Sequence, residues 1–319
     1  MGRAPGRLTP APTTVAGSRA LLVGDVIDDI IVVPSGPIRA DTDTVSRITR
    51  QPGGSAANSA AWLGWLGAAV DFVGRVGAGD AERHARELAV TGVAAHLHED
   101  PERPTGTIVI LVEGQQRTML TDRGANAGLH PDQVTDALLQ AAGILHLTGY
   151  SLVDALSARA LRELLERAHA AGSAVTLDPS SVGFIADHGV EAFRAAIAGV
   201  DVLRPNLDEG RLLAGLGGDA PPALVAEALL DLAPAVVLTC GAAGVTVAER
   251  RADGTARVVP LEVERVPTVD PTGAGDSFTA GFLAARLAGA DLAHAAREGQ
   301  RVAAIAVSRI GGRPPAEPR

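Results

Sequence analysis

The sequence predicts an α/β protein, a three-layer α/β/α fold with a mostly parallel central sheet and a small β lid. Short, fully apolar runs of strand length alternate with helical stretches, the pattern of a parallel sheet covered on both faces. Glycine, aspartate and asparagine gather where those runs end, and such sheets bind ligands at the carboxyl ends of their strands. Two further segments break the alternation with period-two patterning and no intervening helix.

In chain order, residues 1–18 hold Pro, Gly, Thr and Arg without an apolar run and read as a loose tail, not a signal peptide. Leu21–Val23 is the first strand, closed by Gly24 and Asp25. Ile30–Val33 with Val45–Thr49, and Thr107–Val112 with Gln116–Thr121, are hairpin material. They make up a lid of about residues 30–50 and 105–122, expected to be an antiparallel flap. Gly53 and Gly54 open a helix of small residues. Strands follow at Ile144–Leu147, Ala174–Leu177, Val200–Leu203 and Val236–Thr239, with helices near 155–171, 190–198, 206–215 and 221–232. The last motif opens a nearly uncharged, hence central, helix near Asp276 that runs to Leu287. Nothing between 19 and 312 resembles a linker, so residues 19–313 read as one domain and 314–319 as a frayed tail.

A chain of 319 residues can bury about three quarters of its unfolded surface, enough for one large core. Its net charge of −9 argues against a nucleic acid as principal partner. All 28 basic residues are arginine, which excludes Schiff-base chemistry, the P-loop lysine and the protein-kinase lysine. Phosphate binding then falls to backbone N–H groups, arginine or a metal. The single cysteine, Cys240, excludes an internal disulfide and any CxxC site. No window approaches 18 apolar residues without charge, so no membrane span and a cytoplasmic location are expected.

Three segments carry chemistry. In Val269-Asp270-Pro271-Thr272-Gly273-Ala274-Gly275-Asp276-Ser277-Phe278, a Gly-Ala-Gly turn at a helix start points N–H groups at an anion, helped by the helix dipole. An acid beside that anion hole makes sense as a base that takes a proton from a nucleophilic hydroxyl; the alternative is an N-capping Asp276. The same tetrapeptide at Gly77–Asp80 precedes the charged surface helix AERHARELAV and reads as structural. In Pro52-Gly53-Gly54-Ser55-Ala56-Ala57-Asn58, glycines allow close approach of a ligand and the Asn58 amide can both donate to and accept from a sugar hydroxyl. Tight helix packing with Asn58 in the cap region is the other reading. Asp25, Asp28 and Asp29 end the first strand; they suit hydroxyl-rich ligands or simply sit in a solvated turn.

GGSAAN and DPTGAGDSF resemble the two signatures of the ribokinase family of ATP-dependent carbohydrate kinases, also called the PfkB family, over about residues 19–313. The resemblance implies a ribokinase-like fold, ATP and Mg²⁺. It makes Asp276 the catalytic base and Gly273, Ala274 and Gly275 the anion hole. It makes Asp29, Gly53, Gly54 and Asn58 the substrate contacts, and Asn206, Thr239, Gly241 and Gly244 the ATP contacts. Glu209 is implied as an indirect Mg²⁺ residue, and Asp270, Thr272 and residues 308–312 as a loop for a monovalent cation, K⁺. By local chemistry alone, Asn206 and Glu209 would form a capping box and nothing more. Arg117 and Arg123 could meet a phosphate or an acid, but solvated side chains are expected.

Ile27 and Ser55 stand where ribokinases resemble a pattern of Asn and Lys, and the strand end at 146–150 lacks their glutamate, so ribose is not the expected acceptor. The expected reaction moves the γ-phosphoryl group of ATP to a hydroxyl of a small sugar or sugar acid. A nucleoside acceptor is the alternative, weighed down by an aromatic content of five Phe, two Trp and one Tyr. A catalytically silent sugar- or nucleotide-binding protein on the same fold is the third reading. Apolar lid residues Ile30, Val32, Ile108 and Ile110 call for cover, by substrate closure or by a second copy in a homodimer.

Overall fold

Residues 19–113, 116–153 and 158–315 are described by a computed structural model; the expected tails, apart from Pro314 and Pro315, lie outside them. The chain runs β1 (Arg19–Val23), β2 (Ile27–Pro34), β3 (Ser46–Gly53), α1 (Ser55–Trp65), β4 (Ala69–Gly77), α2 (Ala81–Ala89), β5 (Val93–Asp100), β6 (Gly106–Glu113) and β7 (Gln116–Asp122). It continues through α3 (Asp136–Ala141), β8 (Ala142–Thr148), α4 (Tyr150–Val153), α5 (Ala158–Ala170), β9 (Ala174–Asp178), α6 (Val182–His188), α7 (Val190–Ala196), β10 (Val202–Leu203) and α8 (Leu207–Ala214). Last come α9 (Pro222–Ala228), β11 (Ala235–Thr239), β12 (Val245–Arg250), β13 (Ala256–Leu261), α10 (Ala274–Leu287) and α11 (Leu292–Val307).

Nine strands form the central sheet in the order β13-β12-β11-β10-β9-β8-β1-β4-β5, parallel except at β12 and β13. Side chains alternate across it. Ala20 and Leu22 of β1 join Trp62, Phe72, Phe278 and Phe282 beneath α1, α10 and α11. Leu21 and Val23 join Leu145, Leu161, Phe193 and Leu213 beneath α3 and α5–α9. Both faces are therefore buried, which is why the strands read as unbroken apolar runs. Strand order reverses on either side of β1, and the carboxyl ends of β1 and β8 flank the crevice this reversal opens.

β4 and β5 are absent from the run of strands read off the sequence. Asp71 and Arg75 interrupt the apolar run of β4, and each is neutralised by a partner far along the chain: Arg19 Nε lies 2.6 Å from Asp71, and Arg75 Nε lies 3.0 Å from Asp100.

The lid is a separate sheet of order β3-β2-β6-β7. The expected antiparallel flap needs correction, because β2 and β6 are parallel, with Asp29 opposite Ile108. Between β3 and β6 the chain crosses the main sheet through β4 and β5, and that long excursion brings it back in the same direction. Alternation sends Ile27, Asp29, Ile108, Ile110, Arg117 and Met119 to the cleft. Ile30, Val32, Val109, Leu111 and Leu120 lie in register on the other face. Ile108 and Ile110 thus line the cleft and do not share the exposed face with Ile30 and Val32. No described helix is long and apolar enough to cross a membrane.

Candidate active site

Two helix N-termini meet under the lid. Gly54 precedes α1 with φ +93°, and Asp25, at the end of β1, caps that helix by accepting from Ser55 N–H at 2.8 Å and Ala56 N–H at 3.1 Å. Gly273, at φ +75°, is the N-cap of α10, so the helix starts two residues before the expected point. A Cβ at Gly273 would sit 2.7 Å from the backbone of Gly312, and the φ alone disfavours any side chain. The N-capping reading of Asp276 is corrected by the same geometry, because Asp276 lies inside the first turn, where its side chain turns outward to α1.

Ser55 Oγ donates to Asp276 Oδ1 at 2.7 Å, and Asn58 Nδ2 donates to Asp276 Oδ2 at 3.0 Å. Burial, opposed by the two donors and aided by the nearby Asp25 and Asp178, raises the Asp276 carboxyl to about 7 in all. Asn58 is buried, and its Oδ1 has no hydrogen-bond partner among the described residues. An orphaned acceptor beside a cleft marks a place for a donor from a ligand. Asn58 is therefore not a packing residue of α1 alone. Ser55, whose local sequence gives no sign of this role, is a direct partner of Asp276.

The three carboxylates after β1 divide their work. Asp25 caps α1. Asp28 is 1% exposed and is held by Arg83 at 2.8 and 2.9 Å and by Arg50 on the outer side of the lid. Asp29 turns into the cleft, which Asp25 also borders, and burial raises Asp29 to about 6, assisted by Asp25 and opposed by Arg313. A Cβ on Gly53 would lie 2.3 Å from Asp29 Oδ2, so the glycine is what lets that carboxylate stand beside β3.

The cleft encloses about 750 Å³, and Asp29, Asn58, Asp276, Glu209, Thr239 and Tyr150 are on its wall. A second, mostly apolar cavity of about 660 Å³ lies on the far side of the glycine turn, lined by Gly241, Gly244, Val263, Val266, Phe278 and Ala304. Thr239, Pro271 and Gly275 border both cavities. The turn that opens α10 is thus the shared wall between a polar and an apolar chamber.

Asn206 and Glu209 form the capping box: Asn206 Oδ1 accepts from Glu209 N–H at 2.9 Å, and Glu209 Oε2 accepts from Asn206 N–H at 2.9 Å. Yet Glu209 is 2% exposed and borders the cleft, and burial followed by the charge of Asp178 raises it to about 8. Arg204 is fully buried below them, 3.7 Å from Asp178 and over the rings of Phe278 and Phe282. Burial outweighs the opposing charge of Arg204 at Glu209 and Asp178, and hard oxygen donors of this kind fit Mg²⁺. No group of three or more potential ligands exists among the described residues, so a Mg²⁺ here would share its shell with ligand oxygens and water.

Both expected solvated arginines are engaged. Arg123 donates to Tyr150 O and lies 5.3 Å above the Phe184 ring. Arg117 pairs with Asp270 at 2.8 Å and donates to Thr272 Oγ1. Neither contact is legible locally, since each partner comes from a different part of the chain.

Residues 18–319 match the model of the pfkB family carbohydrate kinases. The chain is 29% identical to the bifunctional protein HldE of Caulobacter vibrioides over 95% of its own length and 63% of that protein's, so it spans about three fifths of that relative. It is 30% identical to the 1-phosphofructokinase of Rhodobacter capsulatus, covering 91% of this chain and 90% of that one. The adenosine kinase of Sinorhizobium meliloti superposes with a TM-score of 0.81 at 26% identity, over 94% of this chain and 96% of that one. A single family model across nearly all the described residues, on a fold shared with solved kinases, places the chain among the pfkB family carbohydrate kinases.

Proposed function

We propose that this protein transfers the γ-phosphoryl group of ATP to a hydroxyl of a small carbohydrate or sugar acid, with Asp276 as the general base. The observation that carries the reading is the Ser55–Asp276–Asn58 cluster at the glycine turn, with Asn58 Oδ1 left open. The acceptor hydroxyl donates to Asp276, while Asp29 and Asn58 Oδ1 take its neighbouring hydroxyls. As the acceptor oxygen bonds to the γ-phosphorus, its proton passes to Asp276 and the bond to the β-phosphate oxygen breaks, releasing ADP. A carboxylate near pH 7 is matched to that proton. The first turn of α10 aims N–H groups and the positive end of its dipole at the developing charge.

The apolar chamber bordered by Gly241, Gly244 and Phe278 suits a purine base, which puts the phosphates at the shared wall of Thr239 and Gly275. Mg²⁺ would be held between these phosphates and the side of Glu209, with Asn206 fixing that carboxylate; it supplies neutralisation of phosphate charge. Asp270 and Thr272 do not fit K⁺, because the Arg117 guanidinium, itself a cation, already pairs with the carboxylate and engages Thr272 Oγ1.

A nucleoside acceptor is the second reading, favoured by one feature. Tyr150 and Phe184 form an edge-on pair 4.8 Å apart on the wall of the cleft that Ile108, Ile110 and Met119 also line, apolar surface able to take a planar base. ATP-coupled turnover against pentoses, hexoses, keto-deoxy acids and nucleosides decides between them; no phosphorylated product from any acceptor removes both. A cytoplasmic location belongs to the same proposal, as the compartment that supplies ATP. So does a homodimer through the outer lid face, where Ile48 and Leu120 are 63% and 56% exposed and extend the stripe of Ile30, Val32, Val109 and Leu111. Sizing in solution tests that part.

A further inference from the structure

Asp270 stands three residues before the N-cap of α10 and is 6% exposed. Its Oδ1 accepts from Thr272 N–H at 2.8 Å and from the Arg117 guanidinium at 2.8 Å, and its Oδ2 accepts from Gly311 N–H at 3.0 Å. Burial pushes this carboxyl up, but the N–H groups of Gly311 and Thr272 and the guanidinium outweigh it and hold it at about 2. A site for a monovalent cation needs carboxylate and carbonyl oxygens turned into an open space. Here both carboxylate oxygens face hydrogen-bond donors, and one donor is itself a cation.

That donor comes from elsewhere. Arg117 lies on β7 of the lid, 155 residues from Thr272, whose Oγ1 it also engages. The loop it reaches is tightly keyed to the anion-binding turn: Gly312 packs on Gly273, and Trp62 Nε1 of α1 donates to Gly312 O at 2.8 Å. The contact can form only with the lid over the cleft, since Arg117 shares the cleft-facing side of that sheet with Ile110 and Met119.

We infer that the Arg117 guanidinium is the resident cation of the Asp270 loop, that it takes the place of a monovalent metal ion there, and that it makes the shape of the Gly273–Gly275 turn conditional on lid closure. Arg117 is a positioning residue, acting through Asp270 and Thr272 on the turn that meets the phosphates. The inference rests on the kinase reading for its catalytic consequence, and on geometry alone for the occupancy of the loop.

The experiment compares the wild-type protein with Arg117→Ala in the chlorides of potassium, sodium and tetramethylammonium at matched ionic strength, reading turnover and thermal melting. The wild-type protein is expected to turn over and melt alike in all three salts. Loss of a charge-assisted contact in the variant is expected to lower kcat by about tenfold or more. Potassium or added guanidinium is expected to restore part of that loss, and potassium to raise the variant's melting temperature. A merely structural arginine would give a variant that is blind to the cation. Potassium stimulation of the wild-type protein, or a variant with the same rate and melting in all three salts, overturns the inference. If no acceptor is phosphorylated at all, the kinase reading fails, while the melting comparison still decides the occupancy of the loop.

Discussion

Ser55 Oγ lies 2.7 Å from Asp276 Oδ1, joining the first turn of α1 to the first turn of α10 across 221 residues of chain. Asp25 caps α1 from beneath, so one carboxylate fixes the donor that orients another. The proposed base is therefore held by a relay that begins at the end of β1, at the crevice where the sheet reverses its strand order.

Asp276→Asn keeps the shape of the side chain and removes its basicity. Turnover is expected to fall about 10²-fold or more, with acceptor KM little changed because Asp29 and Asn58 remain. Steady-state kinetics check this; undiminished kcat would take Asp276 out of the reaction.

The base works only when ionised, so kcat/KM for the acceptor should rise with pH through about 7 and then level off. Ser55→Ala removes a donor that favours the ionised form, and its acid limb should move to higher pH. A pH–rate profile of both proteins reads the shift, and identical limbs would deny Ser55 this role.

Asp276 and Glu209 have folded-state values of about 7 and about 8, both above the ordinary carboxylate range. Between pH 5 and 8 these two groups hold more protons in the native state than in the unfolded chain, so their contribution to stability falls as pH rises. The ligand-free protein should melt at lower temperature at pH 8 than at pH 5.5, and Glu209→Gln should flatten that slope. A melting temperature that climbs across this window would contradict the assignment.

Asp28 and Asp29 are neighbours with opposite fates. Asp28→Asn weakens ion pairs of a buried carboxylate with half-buried and exposed arginines and should cost about 2 kcal/mol of stability by denaturant unfolding, with acceptor KM in the folded protein unchanged. Asp29→Asn should raise acceptor KM and leave unfolding nearly unchanged. Gly53→Ala is expected to mimic the second, because its Cβ would displace the Asp29 carboxylate.

The layered fold was legible because its strands are apolar on both sides, which is a property of each short stretch by itself. β4 is not legible because Asp71 and Arg75 break its pattern, and Arg19 and Asp100, brought alongside by folding, cancel those charges. The glycine turn at 273–275 was legible too, since a positive φ and a helix start are local events. The neighbourhood of Arg117, QQRTML, predicts a solvated side chain, because its partners Asp270 and Thr272 lie far along the chain.

Local patterning by itself determined the alternation of strands and helices, the lid hairpins, the absence of lysine chemistry and the turn that opens α10. Tertiary structure alone decided that Ser55 and Asn58 orient Asp276, that β6 runs parallel to β2, and that a guanidinium sits at Asp270. The reason is one of range. Backbone preference and hydrophobic period act over a few residues, whereas the charge state and partners of a buried polar group depend on whatever distant segment folding sets within about 4 Å of it.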